Sequence, residues 1–197
     1  VKKVVIGVSL VLLLLFLGAC NNETKLNNAL TEVQLTDREK FLLSATSDQS
    51  FVFDFHADSK YKQISVWVDQ YEFGKLVGEK IIHLTMDIEE NGTLIFSTFE
   101  NIGEEENVKF NISVKSNNAS GGNSRTHVER MTNQSTRGSN PLEEIPINGN
   151  VVLATISKSN GNGMSSLSSE FYTDLDNRLG EISNYDVVYV LKSEFLK

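Results

Sequence analysis

Val108-Lys109-Phe110-Asn111-Ile112-Ser113-Val114-Lys115 is the stretch that decides the fold. Apolar and polar residues alternate strictly over eight positions. On an extended chain successive side chains point to opposite faces, so this segment buries Val108, Phe110, Ile112 and Val114 and wets the other four. The same period of two recurs in Phe51, Phe53 and Phe55, in Ile64, Val66 and Val68, and in Ile82, Leu84, Met86 and Ile88. Half-buried strands of this kind belong to antiparallel sheets, because parallel strands are covered on both faces and read as continuous apolar runs.

Leu94-Ile95-Phe96, Val151–Ile156 and Asp186–Leu191 supply further strands. Asn91-Gly92, between the strand ending near Ile88 and Leu94, carries the residues of a type I′ turn and predicts a hairpin. Tyr71-Glu72-Phe73-Gly74-Lys75 predicts a second turn, with Gly74 in the left-handed conformation. Thr36-Asp37-Arg38-Glu39 has capping-box spacing and predicts a short helix over 37–45. The fold expected is an all-β antiparallel β-sandwich of about 7–8 strands with a short N-terminal helix.

Two segments break the alternation. Sixteen of the twenty-five residues in 116–140 are Ser, Thr, Asn or Gly, as are nine of thirteen in 158–170. Such composition buries little apolar surface, so long polar loops are expected at 116–148 and 158–170, with an edge strand within Thr126–Met131 as the one exception.

The chain has 197 residues, eleven of them Phe, with 40% hydrophobic residues, a length and composition suited to one packed domain. A single cysteine excludes a disulfide framework and any C-x-x-C site. The formal net charge of −8 excludes nucleic acid as a partner, since phosphate binding needs concentrated Lys and Arg.

The N-terminus has its own logic. Lys2 and Lys3 precede an apolar run from Val4 to Leu17, followed by Gly18, Ala19 and the sole cysteine, Cys20. As a helix that run reaches about 21 Å, short of the ~30 Å hydrocarbon core, so it reads as a secretory signal rather than a membrane span. Leu17-Gly18-Ala19-Cys20 resembles the lipobox of bacterial lipoproteins. The resemblance implies cleavage of a signal peptide, residues 1–19, between Ala19 and Cys20, and lipid attachment (diacylglyceryl and palmitate-type chains) on Cys20. Two acyl chains suffice for stable anchoring. Residues 20–36 would then be the lipidated N-terminus and a flexible spacer, and 37–197 the sandwich. Loss of residues 1–19 removes two lysines and no acids, leaving a net charge of −10. Trp67-Val68-Asp69-Gln70-Tyr71-Glu72-Phe73-Gly74-Lys75 is also similar to β-rich lipoproteins of Gram-positive bacteria, which implies no activity.

Catalytic and metal motifs are lacking. His56, His83 and His127 have neither H-E-x-x-H spacing nor the His-x-His spacing that puts two rings on one strand face. Gly163-Met164-Ser165 lacks the second glycine of a nucleophile elbow, with Leu167 in its place. Asp174-Leu175-Asp176-Asn177 with Gly180-Glu181 approaches a calcium loop but fails its spacing, so no catalytic residue, cofactor or metal ligand is assigned and calcium stands only as an alternative. Glu104-Glu105-Glu106, Glu89-Glu90 and Glu143-Glu144 read as solvated loop charge. Trp67 and Tyr71 read as buried under a loop or helix, because large aromatics usually sit inside.

The expected function is a membrane-anchored, extracytoplasmic lipoprotein that acts without catalysis as a binding module for a protein or cell-wall partner. The alternatives are a cell-wall or polysaccharide hydrolase and a transporter-associated solute-binding lipoprotein. Oligomeric state and partner stay open at this point.

Overall fold

A computed structural model describes residues 28–101, 107–128, 132–161 and 163–197. The leader, Ala19, Cys20, Glu104–Glu106 and Met131 lie outside the described residues. Eleven strands are described: β1 (Ala29–Glu32), β2 (Gln49–His56), β3 (Gln63–Glu72), β4 (Lys75–Asp87), β5 (Asn91–Asn101), β6 (Asn107–Ser116), β7 (Ala119–Val128), β8 (Gln134–Ser139), β9 (Ile145–Pro146), β10 (Val151–Ser159) and β11 (Val187–Leu196). They form two antiparallel sheets. One has six strands in the order β7-β6-β5-β2-β1-β9, the other five in the order β4-β3-β11-β10-β8.

The alternation translates directly into burial. Val108, Phe110, Ile112 and Val114 of β6 are buried, as are Phe51, Phe53 and Phe55 of β2 and Ile64, Val66 and Val68 of β3. These inner faces meet as one core. Phe96 stacks between Phe51 and Phe110 at centroid distances of 6.0 and 6.1 Å, and the Phe110 ring meets Tyr189 of the other sheet edge-on at 4.8 Å. Offset and edge-on pairs add about 0.5–1.5 kcal/mol each beyond the area they bury.

Helix α1 (Asp37–Ser44) forms where its capping box predicts. Thr36 N–H and Oγ1 donate to the Glu39 carboxylate at 2.8 and 2.7 Å, and Glu39 N–H donates back to Thr36 Oγ1 at 3.3 Å. These bonds hold the Glu39 carboxyl below its ordinary value of 4.5. The turn between β3 and β4 also forms as predicted, with Phe73 and Gly74 at φ 49° and 78° and Glu72 opposite Lys75.

Five expectations are corrected. Among the described residues the strands number eleven, because short and edge strands carry little alternation. Asn91-Gly92 makes no hairpin: β4 and β5 belong to different sheets, and Asn91 and Gly92 instead pair with His56 and Phe55 of β2. Glycine stands at position 92 for room, since a Cβ there would lie 2.2 Å from the Phe55 ring and 2.4 Å from the Lys115 carbonyl oxygen. The polar stretch 116–148 contains β7, β8 and β9 rather than one long loop. The sandwich also begins before residue 37, because Ala29–Glu32 pairs with β2 within the stretch read as spacer. In 158–170, Lys158 and Ser159 close β10, and a helix begins at Ser169.

β7 explains why composition misled. It is an edge strand exposed along most of its length, so no apolar stripe is required of it. Its small residues allow close approach: a Cβ on Gly121 would lie 2.9 Å from Met86 Sδ of β4, and Asn123 Nδ2–H donates to the His83 carbonyl at 2.8 Å. The two sheets are thus stitched along the β4–β7 side. On the other side Arg137 of β8 lies over the Phe51 ring at 4.2 Å and 3.7 Å from Glu32 of β1.

Candidate functional site

The two outer sheet faces differ. Behind the five-stranded sheet, the segment 164–186 folds into α2 (Ser169–Thr173), α3 (Leu175–Arg178) and a 3₁₀ turn (Leu179–Ile182). Its Phe171, Leu175, Ile182 and Tyr185 pack on Tyr71, Val188 and Val190, forming a second apolar cluster. Tyr71 is consequently buried, and Trp67 is buried outside that cluster with Lys80 Nζ 4.8 Å over its ring, whereas Phe73 at the hairpin tip is half exposed beside Leu76 and Val77.

A polar network lies within this covered face. Lys192 Nζ is 3.0 Å from Asp69 Oδ2 and donates to Tyr71 OH at 3.3 Å. Trp67 Nε1–H also reaches Asp69 Oδ2, at 3.3 Å, and Lys80 N–H donates to Asp69 Oδ1 at 2.8 Å. Lys80 has φ 48° at an irregularity in the β3–β4 ladder, so Asp69 binds the amide that the irregularity frees. Burial pushes the Tyr71 phenol above 10.0, with Lys192 opposing. Burial alone would lower Lys192, but Asp69 and Tyr71 outweigh it and hold the ammonium above 10.5. A protonated amine beside a neutral phenol supplies neither a nucleophile nor a base near neutral pH. The network is structural.

On the six-stranded sheet the α1 segment packs beside Val52 of β2, and the rest of the outer face has no covering segment among the described residues. Its outer face presents Asp54 and His56 from β2, Asn91 and Thr93 from β5, and Lys115 from β6, side by side because adjacent antiparallel strands place same-parity residues on one face. They border a groove of about 880 Å³ that runs on to β1 and to Glu143 and Glu144. Thr93 Oγ1–H donates to Asp54 Oδ1 at 2.6 Å, and the His56 ring nitrogen lies 2.8 Å from Asn91 Oδ1. Two further hollows adjoin it, one lined by Thr93, Ile95, Ser113, Lys115 and Gly122, the other by Glu32, Gln34, Lys40 and Ser50 beside α1.

The three histidines occupy separate places. His56 borders the groove, and His83 lies opposite Trp67 with its Nε2 2.8 Å from Ser65 Oγ. His127, read as a loop residue, sits on β7 with its ring 6.4 Å from Tyr189. No group of three or more His, Cys, Asp or Glu suited to a metal occurs among the described residues. In the calcium-like stretch, the Asp174 carboxylate accepts from Asn177 Nδ2 at 2.9 and 3.1 Å, a bond within one helical turn. Sequence reasoning missed the groove, because Asp54, Thr93 and Lys115 are solvent-face residues of ordinary strands. Only their register brings them together.

Fold and groove define an antiparallel two-sheet β-sandwich with one outer face covered and the other bare. The chain belongs to the YgaN family: the YgaN domain model matches residues 29–195, the whole of the described sandwich but its ends. No curated protein and no solved structure matches it.

Proposed function

We propose that this protein is a lipid-anchored, extracytoplasmic binding module that acts without catalysis. The bare outer face of the six-stranded sheet carries this reading. A sheet face of short polar side chains, grooved across several strands while its counterpart is covered, suits reversible contact with a partner. Lipidation at Cys20 would hold the module at the membrane. Seven residues separate Cys20 from Asn28, a reach of at most about 29 Å over the eight Cα–Cα steps, so the sandwich would stand close above the bilayer. At that distance tethering raises its effective concentration toward other surface molecules.

Fatty-acid probe labelling of cells expressing wild type and Cys20→Ala tests the anchor. Label on the wild type alone supports it, and equal labelling removes it. The hydrolase alternative is less favoured, because the groove's Asp54 is engaged by Thr93.

A further inference from the structure

The groove ends against an unfinished sheet edge. Val33 N–H donates to the Val52 carbonyl of β2, so the backbone groups of Ala29, Thr31 and Val33 face β2. Those of Leu30, Glu32 and Gln34 face the opposite side. There β9 pairs only Pro146 with Ala29 and Ile145 with Leu30, and Ile147 N–H donates to the Asn28 carbonyl. Beyond Leu30 no strand flanks β1 among the described residues. Glu143 and Glu144, which would continue β9, leave the ladder instead and form the far wall of the groove.

We infer that this edge receives an extended, cationic peptide segment as an added strand along Thr31–Gln34. The inference rests on the binding role proposed above and names its partner. A strand edge offers backbone hydrogen bonds in sequence-tolerant form, and flanking side chains set preference. Here the flanking charge is acidic. Glu32 is met by Arg137 of β8, and Asp54, Glu143 and Glu144 border the groove beside one lysine, Lys115, in a chain with a net charge of −8. Lys or Arg on alternate positions of the added strand would project to that wall. A polysaccharide fits less well: no Trp or Tyr borders the groove, the Phe55 ring is committed to the core, and the His56 ring is held by Asn91.

The test is NMR titration of the full chain in detergent with an acetylated, amidated octapeptide of alternating Lys and Thr or Val. The same peptide with Glu for Lys is the control. The inference expects shifts at the Glu32 and Gln34 amides, absent with the acidic peptide. It also expects binding weakened at least fivefold in Glu143→Gln/Glu144→Gln and in Glu32→Pro. The Glu32 N–H points away from β2, so proline there spares the β1–β2 ladder; Gln34→Pro serves as a second variant should that one fold poorly. Absence of binding, or binding indifferent to charge and to these prolines, overturns the inference. Fatty-acid labelling reads the anchor separately, so failure of one leaves the other standing.

Discussion

Lys192 Nζ and Asp69 Oδ2 lie 3.0 Å apart on the covered face of the five-stranded sheet, with 15% and 6% of their side chains exposed. Asp69 also holds Trp67 and the Lys80 amide, so the pair joins β11, β3 and β4 at one point. Removing one partner of such a pair strands the other charge. Lys192→Met should therefore destabilise the protein by about 3 kcal/mol, read as a lower urea midpoint at unchanged slope. A loss below about 1 kcal/mol would show the pair to be dispensable.

The same network fixes an alkaline limit. Lys192 and Tyr71 both have folded pKa values above their ordinary 10.5 and 10.0. For raised groups, the stability they contribute is fully present below the unfolded values and is lost as pH rises through the folded ones. Denaturation midpoints should show no loss from these groups between neutrality and about pH 10, then a fall above it that is smaller in Lys192→Met.

Gly92→Ala tests the packing between β2, β5 and β6. The added Cβ meets both the Phe55 ring and a backbone carbonyl, so relief requires moving a core aromatic or a strand. A loss of about 1–3 kcal/mol is expected by chemical denaturation. Were position 92 a hairpin turn, the same change would leave Phe55 undisturbed in NMR spectra.

Thr36→Ala removes the cap of α1 and should cost about 1 kcal/mol. The Glu39 carboxyl, now held down by Thr36, should titrate closer to 4.5 in the variant. Because its folded value is depressed, its contribution exists above the unfolded value and disappears as pH falls through the folded one. The stability gap between the two proteins should therefore narrow under acid, leaving the part that the Glu39 N–H bond to Thr36 Oγ1 supplies.

Strands with one wet face were legible in the sequence, because burial leaves its period on β6, β2 and β3. The α1 cap was legible because two side chains three residues apart satisfy each other's backbone. β7 and β8 were not. An edge strand owes nothing to the core on most of its length, so Ser, Asn and Gly there look like loop. The partner of Asn91-Gly92 was not legible either, since an Asn-Gly pair suits a tight turn and a crowded strand equally. The groove draws on β1, β2, β5, β6 and two glutamates far along the chain, a juxtaposition set by strand order, which local pattern does not encode.

In the proposed function, the bare face of the six-stranded sheet is where this protein meets its partner. Site-directed photocrosslinking in intact cells tests it most directly, with a photoreactive residue placed at Thr93 in the groove or at Thr173 on the covering segment. A discrete adduct is expected from position 93, lost in Glu143→Gln/Glu144→Gln, and none from 173. Adducts from 173 alone, or none from either position, would contradict it.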